Sequence, residues 1–219
     1  MEEQETKQKV EKRTLQILVY PEESLRIPSV EVTDFDQNLY TLLDEMLNTV
    51  VAYDGHGLAA PQVSKNIRVA VIKHDNVVYE MINPIIKEQS GKCSAVEGCL
   101  SIPGYSEHIE RAKSIKVTYK NRSGEDLELF ATEDLARVIQ HEVDHLDGIL
   151  YIDRMSNLKK NLFKTWITKK FKEAERYRRA MIRYAKKNPK KLESIPESAT
   201  EEYKPIEPFV LPVSGDPTA

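Results

Sequence analysis

The stretch IQHEVDHLDGILY, residues 139–151, sets His141 and His145 four residues apart, with Glu142 between them. On an α-helix, positions i and i+4 lie one above the other on the same face, so both imidazoles can aim a ring nitrogen at one metal ion. Glu142, one step round the helix, can reach a water carried by that ion. The chemistry on offer is hydrolysis, with an ion that acidifies water and a carboxylate that moves the proton. The pattern is short, and it also arises in amphipathic helices that bind nothing. A catalytic metal site further needs a third protein ligand and one open position.

The neighbouring sequence offers poor candidates downstream. In the extended zinc-protease pattern HExxHxxGxxH, Gly148 fits the glycine but Tyr151 stands where the last histidine belongs. A neutral phenol is a weak substitute. The other common solution, a glutamate from a later helix, would fall on Glu173 or Glu175, both inside a strongly basic segment. Upstream, VEGCLSIPGY carries Cys99 in a stretch flanked by strand signals. A lone free cysteine is most often a small buried hydrophobe, and Cys93 reads the same way. The five-residue gap between the two cysteines is no zinc-ribbon or knuckle spacing.

The elements that must position these residues can be read from their periodicity. TDFDQNLYTLLDEMLNTVVAYDG repeats Leu39, Leu42, Leu43, Met46, Leu47, Val50 and Val51 at helical spacing, with Thr33 or Asp34 as the cap and Gly55 just beyond the end. IRVAVIKH, VVYEMIN, SIKVTYKN and LELFA are short and rich in β-branched residues, and predict strands of a largely antiparallel sheet. EDLARVIQHEVDHLD is a second helix, with Thr132 as cap, Glu133 and Asp134 at its positive end, and Gly148 at the position after its last turn. LQILVY and GILYID read as further strands. The segregation of helices from strands points to an α+β fold, a mostly antiparallel sheet around a central HExxH helix.

The chain of 219 residues supports one buried domain with extensions. Residues 1–14 read as a charged, disordered leader, and 15–157 as the catalytic domain. Residues 158–191 form a long basic amphipathic helix with fourteen Lys/Arg against Glu173 and Glu175. Residues 192–219 read as an acidic, proline-containing disordered tail. The net charge of −3 hides this uneven distribution. Two cysteines in so long a chain argue for a reducing, cytoplasmic setting rather than a disulfide scaffold. No signal peptide and no apolar run of membrane-spanning length is present.

Three segments match one family together. GHGLAAPQ (55–62), EGCLS (97–101) and QHEVDHLDG (140–148) resemble, in order and spacing, the three motifs of peptide deformylase. The resemblance spans roughly residues 15–170. It implies that Cys99, as thiolate, completes a metal site with His141 and His145, and that water takes the fourth position. It implies ferrous iron as the cofactor, with zinc, nickel or cobalt able to occupy the same ligands. Glu142 becomes the general base, then acid, and the Gln62 amide and the Leu100 N–H become the donors to the oxyanion. The implied reaction is hydrolysis of the formyl group from the N-terminal formylmethionine of nascent chains, releasing formate.

Further expectations follow from the same resemblance. Gly57, with Ala59 and Ala60, leaves room for a substrate backbone. Glu97 and Arg111 form an ion pair that fixes the cysteine loop. His56 stands where the family usually has a small aliphatic residue at the edge of the methionine pocket, and either reshapes that pocket or points outward. His74 and His108 read as ordinary surface residues. The basic helix suits phosphate contacts, and in bacterial members of the family the corresponding helix docks at the ribosome. A monomer with no membrane partner is expected. The competing reading is another metallohydrolase, an endopeptidase or a deacylase of small formamides.

Overall fold

A computed structural model of the protein describes residues 13–187. Most of the expected leader, the end of the basic helix and all of the acidic tail lie outside the described residues. The chain runs α1 (Gln37–Ala52), β1 (Gly57–Ala59), β2 (Val69–His74), β3 (Val77–Ser90), β4 (Cys93–Cys99), β5 (Ile102–Arg111), β6 (Ser114–Lys120), β7 (Asp126–Thr132), α2 (Glu133–Leu146) and α3 (Asn157–Lys187). One sheet has the order β1-β2-β3-β6-β7, and β4 pairs with β5 in a separate hairpin. Every ladder is antiparallel. The fold is α+β, as the segregation of periodicities predicts.

Strand β2 is buried on both faces because a helix covers each one. Val69 and Val71 pack with Leu43, Met46 and Val50 of α1. Ile72, with Met81 of β3, packs with Ala136, Ile139 and Val143 of α2. Each such large side chain removed from water contributes about 1.5–3 kcal/mol. The sheet therefore holds α2 rigidly against one face. A third cluster, Leu25, Ile102, Ile109, Leu150, Tyr151, Ile152, Met155 and Phe163, joins the β4–β5 hairpin to the start of α3.

Several local expectations need correction. Asp36, rather than Thr33 or Asp34, caps α1, and its Oδ1 accepts from the Asn38 and Leu39 N–H groups, each at 3.0 Å. Gly55 does lie beyond the end of α1, and the residue before it, Asp54, takes a left-handed conformation at φ 51°. Thr132 stands at the start of α2 but makes no side-chain cap; the Glu133 N–H instead donates to the Lys113 carbonyl at 2.9 Å. LQILVY is extended but joins no strand, because its N–H groups go elsewhere. Leu15 donates to Thr49 Oγ1, Leu18 to the Gln62 carbonyl and Tyr20 to the Ser101 carbonyl. GILYID is no strand either, since Tyr151–Arg154 form a tight helical turn.

Gly148 does occupy the position after α2, with φ 72°. A side chain there would overlap the Arg26 carbonyl oxygen and lie 2.8 Å from its carbon. The absence of a Cβ thus lets residues 26–29 close over the end of the metal helix, where the Ser29 N–H donates to the Leu146 carbonyl at 2.8 Å. Helix α3 begins against the hairpin through Phe163 and Trp166, whose rings contact Tyr105 of β5. Among the described residues, no helix is long and apolar enough to cross a membrane.

Candidate metal and catalytic site

Two elements meet at the site. The hairpin supplies Cys99, at the end of β4. A register shift between Gly98 and Cys99 breaks the ladder there, and bulges of this kind re-aim side chains. Glu97 and Cys99 both turn toward α2, Glu97 onto His141 and Cys99 onto His145. Helix α2 supplies His141 and His145, one turn apart, with ring centroids 5.0 Å apart. The Cys99 sulfur lies 3.2 Å from His145 Nε2. Donor atoms of Cys99, His141 and His145 all lie within 4.8 Å of one another, and these three residues could hold a metal ion.

The surrounding bonds orient this donor set. His141 Nδ1 lies 3.1 Å from Glu97 Oε2, which leaves its Nε2 for the metal position. A ligand histidine held from behind by a carboxylate is the usual arrangement at metal sites, because the bond fixes tautomer and ring orientation. Glu97 is itself clamped. Arg111 donates Nε to Oε1 at 2.6 Å and Nη2 to Oε2 at 2.8 Å. Arg137 donates Nη1 to Oε1 at 2.5 Å. Arg111 also reaches Asp144 at 2.7 Å, and Arg154 holds Asp144 from the other side. Glu97 and Arg111 are therefore a buried pair within a network that also holds His141, Arg137, Asp144 and Arg154.

Electrostatics follows from burial and these partners. Burial pushes the Glu97 carboxyl up, but the bonds from His141 and Arg111 win and hold it at about 2. Burial pushes His141 down, yet the Cys99 and Glu97 bonds raise it to about 10. Burial, with the charges of His141 and Arg111, drives His145 well below its ordinary value, so it stays neutral. Burial raises Glu142 to about 7, against the pull of His141 and Arg111.

Three further residues border the donors. Gln62 is buried, and its Oε1 accepts the Ala59 N–H at 2.8 Å. This fixes the amide so that Nε2 faces Ser101 Oγ at 3.1 Å and the Cys99 sulfur at 3.5 Å. Gly57 lies directly against the Glu142 carboxylate. Leu100 forms the turn between β4 and β5, and the next N–H, of Ser101, donates to the Cys99 sulfur at 3.4 Å. Within the protein, the buried Glu142 Oε2 and His145 Nδ1 have no hydrogen-bond partner among the described residues. A thiol, two imidazoles and an unpartnered buried carboxylate oxygen fit a catalytic divalent ion with one open position.

The family model for polypeptide deformylase matches residues 14–161. The chain belongs to the peptide deformylase family. This deformylase is 43% identical over 157 residues to the peptide deformylase of Helicobacter pylori strain G27, covering 68% of this chain and 90% of the relative. Its fold matches the crystal structure of peptide deformylase from Thermotoga maritima at a TM-score of 0.65 and 44% identity, over 66% of this chain and 99% of that one. It also matches a Met-Ala-Ser-bound class I type b peptide deformylase from Acinetobacter baumannii at a TM-score of 0.63 and 34% identity, over 66% and 99% of the two chains. The enzyme is a metal-dependent hydrolase that removes the formyl group from the N-terminal methionine of nascent polypeptides and releases formate.

The deformylase fold brings together Cys99, His141, His145, Glu142, Gln62 and Gly57. His56 is exposed beside them, the outward-pointing alternative. His74 is half-buried near Asp75, and His108 is exposed. Cys93 stays outside the metal cluster, its carbonyl accepting from Arg137 at 2.7 Å. Tyr151 is no ligand; it stacks on the His141 ring and donates its hydroxyl to the Tyr105 carbonyl at 2.9 Å. Sequence reasoning passed over Arg137, Asp144 and Arg154. The first two had a signal, since they lie four residues before and three after His141 on its own helix face.

Proposed function

We propose that Cys99, His141 and His145 are the metal ligands of this deformylase, that Glu142 is its proton carrier, and that Gln62 and Leu100 stabilise the oxyanion. The convergence of one thiol and two imidazoles beside a buried, unpartnered carboxylate carries this reading. A divalent ion, when bound, lowers the pKa of water and supplies a nucleophile near neutral pH. Membership of the deformylase family, rather than the ligand set, makes ferrous iron the native ion we assign, and zinc, nickel or cobalt can use the same thiolate and imidazole ligands.

The chain's own residues account for the rest of the reaction. Glu142 takes a proton from the attacking water on its free Oε2 and returns it to the leaving amine nitrogen, so water and formamide become formate and amine. Gln62 Nε2 and the Leu100 N–H donate to the oxygen that becomes negative in the tetrahedral state. Gln62 needs no reorganisation, because Ala59 already holds its amide. Gly57 admits the substrate backbone beside Glu142, and His56 borders the methionine pocket from its solvent side. The Met-Ala-Ser held by the Acinetobacter relative is a linear peptide beginning with methionine, and a formylated peptide of this kind is the substrate class we assign here.

The unit that acts is residues 15–157, a cytoplasmic monomer, with the basic helix 158–191 as a ribosome contact. The positive charge of α3 supports that contact. The test is formate release from formyl-Met-Ala-Ser, compared with unformylated peptide and casein, by anaerobically purified protein whose metal has been analysed. Formate release with one equivalent of iron supports the assignment. Stoichiometric metal bound by a Cys99→Ala variant with wild-type affinity would sink it. Ribosome cosedimentation that ignores salt would remove the second contact.

A further inference from the structure

The distal part of α3 holds more positive charge than its described surroundings balance. Between Asn157 and Lys187 the helix carries eight lysines and four arginines against Glu173 and Glu175. Glu173 lies 4.0 and 3.5 Å from Lys169 and Lys170, and Glu175 pairs with Arg179. Among the described residues, no carboxylate reaches Lys164, Lys172, Arg176, Arg183, Lys186 or Lys187. Lys172 and Arg176, Arg179 and Arg183, and Arg183 and Lys187 are each four apart, where like charges repel. Lys164, Thr165, Thr168, Lys169 and Lys172 line a shallow hollow. It lies on the side of the helix turned away from Phe163 and Ile167, which face the core.

The chain that follows has the opposite sign. Residues 192–219 contain Glu193, Glu197, Glu201, Glu202, Glu207 and Asp216 against Lys204 alone, a net charge of −5 (1 − 6). Reach is sufficient. The helix from Lys164 to Lys187 is about 35 Å long at 1.5 Å per residue, whereas the chain from Lys187 to Glu202 can extend about 50 Å. The row of side chains that docks α3 on the core also continues past it, and Tyr177 is 67% exposed.

We infer that the acidic segment 193–207 lies back along α3, with its carboxylates on the lysines and arginines between Lys164 and Lys187, and masks this face from external polyanions. Exposed ion pairs are individually weak. Tethering makes these intramolecular, at an effective concentration in the millimolar range, so several act together. The contact is reversible by salt, and a denser polyanion can displace it. It rests on the charge of α3 and is independent of the metal site.

The test uses the full chain. Carbodiimide cross-linking, which joins only carboxylates and amines already in contact, should link Glu193–Glu207 to lysines between 164 and 187. The yield should not depend on protein concentration and should vanish at high salt. A full-length variant with Glu193, Glu197, Glu201, Glu202 and Glu207→Gln should bind a short single-stranded RNA about ten-fold more tightly at low salt, with formate release from a short formyl peptide unchanged. Absence of these links, or links only between chains, overturns the inference, even where the variant binds RNA more tightly through net charge alone. An unchanged RNA affinity overturns the masking.

Discussion

Gly57 has no room for a side chain, because the Glu142 carboxylate fills the space a Cβ would take. A Cβ there would overlap Glu142 Oε1 and lie 2.9 Å from both Cγ and Cδ. The obstruction is the far end of a flexible side chain, so Gly57→Ala should fold and bind metal normally while pushing the carboxylate aside. Displacing a catalytic group by about an ångström costs up to roughly 100-fold. A 10- to 100-fold fall in kcat, with metal content and thermal midpoint kept, is the expected outcome. Wild-type kcat would show that Glu142 tolerates displacement.

Glu142→Ala should retain metal and lose on the order of 100- to 10,000-fold in turnover, the range for a general base. Burial places the Glu142 carboxyl at about 7, and only its ionised form can accept a proton. Activity of the wild-type protein should therefore rise with pH through that region, and the residual activity of the variant should lack this limb. An identical limb in the variant would assign it to another group.

Cys99→Ala should lose the metal, because two imidazoles from one helical turn leave a divalent ion short of protein ligands. Metal analysis after gel filtration decides this directly. Cys93→Ala should keep both metal and activity, since Cys93 lies outside the donor cluster.

Glu97 gives an acid-stability prediction. Its carboxyl is held at about 2, below its ordinary 4.5. A folded value below the unfolded one stabilises the protein above the unfolded value and is lost as pH falls toward the folded one. That loss, on the order of 3 kcal/mol, should fall between about pH 4.5 and 2. Urea unfolding across this range should show it. Glu97→Gln should flatten that part of the curve and start lower by roughly 3–5 kcal/mol, because Arg137 and part of Arg111 are left buried without their carboxylate. An unchanged pH dependence in the variant would locate the acid sensitivity elsewhere.

The parts of the site that were readable in sequence are those fixed by spacing within one element. His141, Glu142 and His145 share a helical turn, and Gly148 ends that helix where only glycine fits. Cys99 was visible as a residue but not as a ligand, because its approach depends on how a hairpin 46 residues before His145 packs on α2; the motif resemblance supplied it. Arg154 meets the buried network only through tertiary packing, on Asp144. LQILVY has the composition of a strand, yet its backbone partners are a threonine side chain and two separate carbonyls. GILYID also reads as a strand, but Tyr151 must turn inward onto His141. In both cases tertiary contacts override local preference.

The single tryptophan of this chain, Trp166, sits 4.9 Å from the Tyr105 ring. The Tyr105 carbonyl accepts the Tyr151 hydroxyl, and the Tyr151 ring stacks on His141. One optical reporter thus sits where α3 packs against the hairpin that carries Cys99. Its emission can be followed while the metal is exchanged, which reads strain arriving through the aromatic relay. It can also be followed while a polyanion is added, which reads any change at the contact of α3 with Tyr105. One fluorophore, with no label attached, thus borders both the pocket and the helix.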